Sequence, residues 1–240
     1  KKYANIIYTK KNSKLPIRPK VKPTKLRIAY FSSDFFNHAT MHLMAKLFKV
    51  HDKTNFEIFV YSYGFNNKDL IYDVLVNDVD CLQDVREKSD SEIVELVRND
   101  KIDIAIDLKG FTENTRTGIF SFRLAPIQIN YLGYPGTLGT GFIDYIIADD
   151  VIIAPEQRAY YSEKIIYLPH SYQVNDNTRP LSKNSISRAE VGLPEQAFVF
   201  CCFNNNYKIS PQEFDIWMRL LKRVKGSVLW LLRSNTWAER

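Results

Sequence analysis

Residues 32–40 read Ser-Ser-Asp-Phe-Phe-Asn-His-Ala-Thr. They separate the apolar run Leu26 to Phe31 from the helical spacing of Leu43, Met44, Leu47 and Phe48. A loop that leaves a strand and opens a helix offers free backbone N–H groups and the positive end of the helix dipole. That suits a phosphate or a sugar oxygen. His38 is the kind of side chain that serves as a base or steadies a developing charge near neutral pH. Asp34 is placed to orient it or to take a hydroxyl proton. The same residues also read as a helix capped by Asp34 or Thr40 with a surface histidine.

A second constellation is Leu132-Gly133-Tyr134-Pro135-Gly136-Thr137-Leu138-Gly139-Thr140-Gly141. Glycines there allow backbone N–H groups close to a ligand. No Gly-Lys-Ser/Thr follows and the spacing is not Gly-x-Gly-x-x-Gly, so both nucleotide loops of those patterns are excluded. The competing reading is a tight connection out of a strand, with no ligand. The third constellation, Phe203-Asn204-Asn205-Asn206-Tyr207-Lys208-Ile209-Ser210, joins a strand to a helix. Its amides and Lys208 suit a diphosphate leaving group, and equally a polar turn with a solvated lysine.

Two patterns invite a metal and neither carries one far. His38 and His42 are four apart, but Ala39 stands where a zincin helix has Glu. Asp78-Val79-Asp80 has an Asp-x-Asp form that is common by chance. No metal is expected.

The elements that must position these residues alternate. Strands are predicted at Leu26 to Phe31, Phe56 to Tyr63, Ile102 to Leu108, Ile127 to Leu132, Tyr145 to Ala148 and Ile165 to Leu168. Helices are predicted at Met41 to Val50, at Leu70 to Val76, and up to Val97 from a cap at Asp90 or Ser91. The pattern predicts an α/β fold with a Rossmann-like, doubly wound parallel sheet. Ligands bind such sheets at the carboxyl ends of the strands, so the loops after Phe31, Leu108 and Leu132 should converge on one rim. After a polar, turn-rich stretch a second unit starts: strand Phe198 to Phe203, helix Pro211 to Val224 capped by Ser210, strand Ser227 to Leu232. Trp217, with Leu220 and Leu221 at helical spacing, reads as packing. The division expected is residues 1–25 a basic, proline-containing linker, 26–170 a first Rossmann-like domain, 171–194 an interdomain linker and 195–240 the start of a second such domain.

Composition sets the class. The 240 residues are 45% hydrophobic, enough for one large domain or one and part of another. No run reaches the ~18 apolar residues of a membrane helix, and residues 1–8 do not read as a secretory signal. Three cysteines, two of them adjacent, argue against a disulfide framework and for a reducing, cytoplasmic setting. The net charge of +6 belongs to the first 27 residues, which hold ten Lys or Arg and no acid. The rest is slightly acidic, so the basic arm reads as a solvated connector and not as a nucleic-acid arm.

Taken together, several segments resemble the catalytic region of O-GlcNAc transferases, glycosyltransferase family 41, which includes the plant SPINDLY proteins. The matching runs are Ser32-Ser33-Asp34-Phe35 with Asn37-His38 and His42-Leu43-Met44, Ala125-Pro126-Ile127-Gln128, Leu132 to Thr137, Tyr161-Ser162-Glu163-Lys164 and Ser227 to Arg233. They are collinear over nearly all of residues 26–233. The resemblance implies a GT-B architecture and an inverting, metal-independent transfer of a sugar from a nucleoside diphosphate to Ser or Thr hydroxyls of proteins. UDP-GlcNAc is the expected donor. The alternatives are a GDP-fucose or UDP-glucose user, or a non-catalytic protein-binding relative.

The resemblance also implies site residues. His38, Asp34 and Thr40 fall on the sugar and acceptor side. Leu132, Gly133, Pro135 and Thr137 fall on the loop around the sugar and diphosphate. Lys208 falls on the diphosphate, and Asn205 on the nucleotide, in place of a glutamine of animal members. Ala39 stands where animal members have proline. The partners implied are a nucleotide sugar and an acceptor protein, with neither nucleic acid nor membrane. Helical (TPR) repeats are expected upstream, and the family's remaining nucleotide-binding segments are expected after Arg240. The chain by itself is therefore expected to be inactive.

Overall fold

The structure is a computed structural model that describes residues 23–65, 69–179, 182–233 and 236. The chain forms two compact units that divide after Arg179.

Among the described residues, the first unit builds a seven-stranded sheet. Its elements are β1 (Leu26–Ser32), α1 (Ala39–Val50), β2 (Phe56–Ser62), α2 (Leu70–Asp78), β3 (Cys81–Asp84), α3 (Asp90–Asn99), β4 (Ile104–Asp107), β5 (Ile127–Asn130), β6 (Tyr145–Ala148) and β7 (Lys164–Tyr167). The order is β3-β2-β1-β4-β5-β6-β7 and every pairing is parallel. This is the doubly wound arrangement that the alternating pattern predicted.

Strand periodicity builds the two layers. Ile28 and Tyr30 of β1 face one side, where Met41, Met44 and Phe48 of α1 and Leu75 of α2 cover them. Ala29 and Phe31 face the other, against Ile93, Val94 and Val97 of α3 and the Ile119–Phe120 turn. Phe31 stacks on Tyr61 at 4.7 Å and meets Phe120 edge-on at 5.2 Å. Each such fully buried side chain contributes roughly 1.5–3 kcal/mol.

Some elements differ from the sequence prediction. β3 was not predicted. The α3 cap is Ser89, not Asp90 or Ser91: its side chain accepts from Glu92 N–H while the Glu92 carboxylate accepts from Ser89 N–H at 2.7 Å. That reciprocal pair needs Glu three residues after the cap, which only Ser89 has. Between β4 and β5 a short 3₁₀ turn, Thr117–Phe122, stands in for a helix, and another, Pro155–Tyr160, precedes β7. The stretch before residue 180 is tied to the first unit. Tyr172 N–H donates to Asp149, Tyr131 OH donates to the Tyr172 carbonyl, and Val174 packs on the core.

The second unit pairs β8 (Val199–Cys202) in parallel with β9 (Val228–Leu231) through α4 (Pro211–Arg223). Ser210 caps α4 with a Glu213 capping box and Pro211 opens it, as the sequence predicted.

Candidate active site

β1 and β4 lie side by side, but the chain leaves β1 towards β2 and leaves β4 towards β5. In a parallel sheet this reversal opens a crevice at the strands' carboxyl ends, where ligands bind. An ion pair spans it. Lys109, just past β4, donates through Nζ to both oxygens of Asp34, just past β1, at 2.9 and 2.7 Å. Both side chains are at most 10% exposed. A buried ammonium is tolerated because a carboxylate meets it with two acceptors. Asp34 also accepts from Ser33 Oγ at 2.9 Å, and its N–H is held by Ser32 Oγ at 3.0 Å.

Asp107, the last residue of β4, shapes the Lys109 loop. One oxygen accepts from the N–H groups of Lys109 and Gly110 at 2.9 and 3.2 Å, the other from the Thr117 hydroxyl at 2.6 Å. Burial pushes its carboxyl up; the Thr117 and backbone donors, with the charge of Lys109, pull it back.

His38 is the N-cap of α1. Its Nδ1 accepts from Thr40 N–H at 3.2 Å. Asp34 Oδ2 is 3.6 Å from the same nitrogen, outside hydrogen-bond reach, and the ring is 40% exposed. Thr40 therefore enters the site first through its backbone. Asn37 N–H donates to Asp69, the cap of α2, and the Asn37 side-chain oxygen lies 2.9 Å from His42 Nε2. The two histidines thus have separate partners. Among the described residues no group of three or more His, Cys, Asp or Glu is arranged to hold a metal. Asp80 of the Asp-x-Asp run accepts from Ile58 N–H and faces Lys53, at the strands' amino ends.

The loop after β5 is bound to the loop after β4. Leu132 has a left-handed φ of 66°, uncommon for leucine. Gly133 presses on the chain at Leu108, where a Cβ would stand 2.0 Å from the Leu108 carbonyl oxygen. Gly110, with φ of 54°, packs on Tyr134, where a Cβ would stand 2.6 Å from the Tyr134 Cβ, and the rings of Phe111 and Tyr134 are 5.6 Å apart. The loops after β1, β4 and β5 therefore meet on one rim, as the carboxyl-end rule required. Thr137 and Pro135 are fixed from the β7 side. Thr137 Oγ1 donates to Glu163 at 2.6 Å and accepts from Gly139 N–H. Glu163 also accepts from Leu138 N–H at 2.8 Å, and Tyr161 OH donates to the Pro135 carbonyl at 3.0 Å.

In the second unit, Asn205 precedes a 3₁₀ turn, Asn206–Lys208, with no side-chain cap bond. Asn205 and Lys208 are exposed, and Lys208 Nζ lies 5.9 Å from the centre of the exposed Tyr207 ring.

Sequence reasoning singled out Asp34, His38, Thr40 and the Leu132–Thr137 loop, which the first unit brings together. It passed over Lys109 and gave Glu163 no role. The signal for Lys109 was its place, since a lysine that ends a buried strand beside the reversal point stands where a ligand's charge is met.

The sequence pattern described as Glycosyl transferase family 41 matches residues 4–185 and 179–240. A protein of Arabidopsis thaliana named probable UDP-N-acetylglucosamine–peptide N-acetylglucosaminyltransferase SEC is 41% identical over 225 residues, covering 91% of this chain and 23% of that protein. A Caenorhabditis elegans UDP-N-acetylglucosamine–peptide N-acetylglucosaminyltransferase is 27% identical over 321 residues, 87% of this chain and 28% of that protein. Among solved structures, a lysine-to-methionine mutant of the Thermobaculum terrenum O-GlcNAc transferase superposes with a TM-score of 0.82 at 28% identity. It covers 96% of this chain and 43% of that one. The fold is thus of the GT-B class, and the chain spans about a quarter of the length of the curated relatives it matches.

Proposed function

The chain belongs to glycosyltransferase family 41, and on that premise we propose that the protein containing it transfers N-acetylglucosamine from UDP-GlcNAc to Ser or Thr hydroxyls of proteins. The observation that carries the reading is the occupied reversal point of the sheet. There a paired Asp34 and Lys109, the His38 cap of α1 and the Gly133 loop crowd one rim. Proteins similar to it are named for this transfer.

In the proposed reaction the acceptor oxygen attacks the anomeric carbon with inversion. The carbon–oxygen bond to the diphosphate breaks, its electron pair leaves with the nucleotide, and the hydroxyl proton is released. The positive end of the α1 dipole and the close-packed backbone of the Gly133 loop favour the donor's oxygens. Leu132 and Pro135 shape that loop, and Thr137 holds it through Glu163. In the second unit, Lys208 meets the charge that grows on the leaving diphosphate and Asn205 contacts the nucleotide. No metal enters the reading, because Lys208 and backbone donors meet that charge. The setting proposed is cytoplasmic; no helix among the described residues is long and apolar enough to cross a membrane.

Isothermal titration of the full-length protein with UDP and with GDP tests the donor. Tighter binding of UDP is expected, and tighter binding of GDP replaces GlcNAc by a GDP-sugar. Lys208→Ala should lower turnover at least about tenfold by removing a fixed charge from the leaving group. Near-normal turnover would leave the lysine without this role.

A further inference from the structure

We infer that Lys109 is a positioning residue of this site: by neutralising Asp34 it holds His38 as an uncharged imidazole with its proton on Nε2, a hydrogen-bond donor and not a base. The inference deepens the glycosyltransferase reading and rests on it only for what the donor meets, an oxygen of the sugar or diphosphate. The state of the ring belongs to the chain alone.

One partner of His38 is a group that cannot titrate. Thr40 N–H can only donate, and it donates to His38 Nδ1. An imidazolium would set a second N–H against it, so the cap requires a lone pair on Nδ1. A neutral ring with that lone pair carries its proton on Nε2. Among the described residues Nε2 carries no protein hydrogen bond, and the ring is partly exposed.

The opposing influence is Asp34, 3.6 Å from Nδ1. A bare carboxylate at that distance favours the charged ring. Lys109 removes that influence, because its ammonium sits on both carboxylate oxygens and is as buried as they are. The other neighbours do not restore it. Among the described residues the ring also meets the Phe36 ring at 5.7 Å, His42 is engaged with Asn37, and Asp69 accepts the Asn37 N–H. Both oxygens of Asp34 already accept, from Lys109 Nζ and, on one, from Ser33 Oγ. The cluster therefore offers a ligand one oriented N–H and no base.

The chain has four histidines, so selective ¹⁵N-histidine labelling gives a readable long-range ¹H–¹⁵N spectrum, with His38→Gln assigning the signal. At pH 7 the wild-type ring should show an unprotonated Nδ1 and a protonated Nε2. Lys109→Met should put a proton on Nδ1 at pH 7 and loosen the Thr40 cap. Lys109→Arg should return the ring towards wild type. So should Asp34→Asn combined with Lys109→Met, which removes the two charges together. A proton on Nδ1 in the wild type overturns the inference. So does an Nδ1 that stays unprotonated in Lys109→Met with the other three histidines unchanged. If the single variant does not fold, the double variant decides, since a proton on Nδ1 there means that the pair does not set the ring. Donor binding by the full-length protein is measured separately. Its absence removes the glycosyltransferase reading and leaves the ring result standing.

Discussion

Gly133 carries no side chain because none fits. A methyl group at this position would overlap the Leu108 carbonyl oxygen, and Leu108 cannot retreat. It is fully buried, and its N–H is bonded to the Phe31 carbonyl at 3.0 Å. Gly133→Ala must therefore displace the loop itself. A destabilisation of roughly 1–3 kcal/mol is expected, the usual result of forcing atoms into a packed site. Gly141, in the same loop, meets nothing within 4 Å, so Gly141→Ala should stay within about 0.5 kcal/mol of wild type. Urea unfolding of the two variants side by side separates steric need from general loop sensitivity. Equal losses would show that the contact at Leu108 does not matter.

At the scale of elements, α3 shows what a local rule delivers. Ser89→Ala removes the side chain that accepts Glu92 N–H and ends the reciprocal bond, at a cost of about 1 kcal/mol. Ser91→Ala leaves the cap in place and should cost less than half of that; similar shifts in the unfolding midpoint would contradict the assignment. The sequence showed the helix and missed its cap by one or two positions because Asp90 and Ser91 are capping types as well. Other successes and misses divide the same way. β1 and β2 were legible because their apolar cores are long enough to be buried on both faces. β3 was not: it is a four-residue edge strand, Cys-Leu-Gln-Asp, without an apolar pattern of its own. The convergence of three loops was legible because it follows from parallel winding alone. The Lys109–Asp34 pair was not, because its partners are 75 residues apart and a lysine beside a glycine reads locally as solvated. Thr137 was legible as part of the loop, but Glu163, which holds its hydroxyl, lies on the far side of β6.

At the scale of the whole molecule, the first unit should lose stability on acidification in two separate windows. His51 stands at the end of α1 with Nε2 2.9 Å from the hydroxyl of the buried Tyr30, a bond that a neutral ring accepts. Burial and then the charge of Lys53 hold its pKa below the ordinary 6.5, with Asp80 opposing them. The folded state therefore resists a proton that the unfolded chain takes up readily. Stability from this group is complete above the unfolded value and declines as pH falls below about 6.5, until the folded ring protonates as well. The carboxylates act lower. Thr54 and then Asn55 hold Asp52 down to about 2, Ser89 holds Glu92 down, and the N–H groups of Tyr172 and Ile152 hold Asp149 down. Their contribution is present above about pH 4 and fades as pH falls through the folded values. Because the histidine window opens first as pH falls, one variant distinguishes the two. His51→Gln keeps an acceptor for Tyr30 but cannot titrate. Its thermal midpoint should fall less between pH 7 and 5.5 than that of the wild type, and then fall in parallel with it below pH 4. If both proteins lose the same amount in the upper window, His51 is not the group that the unfolded chain protonates first.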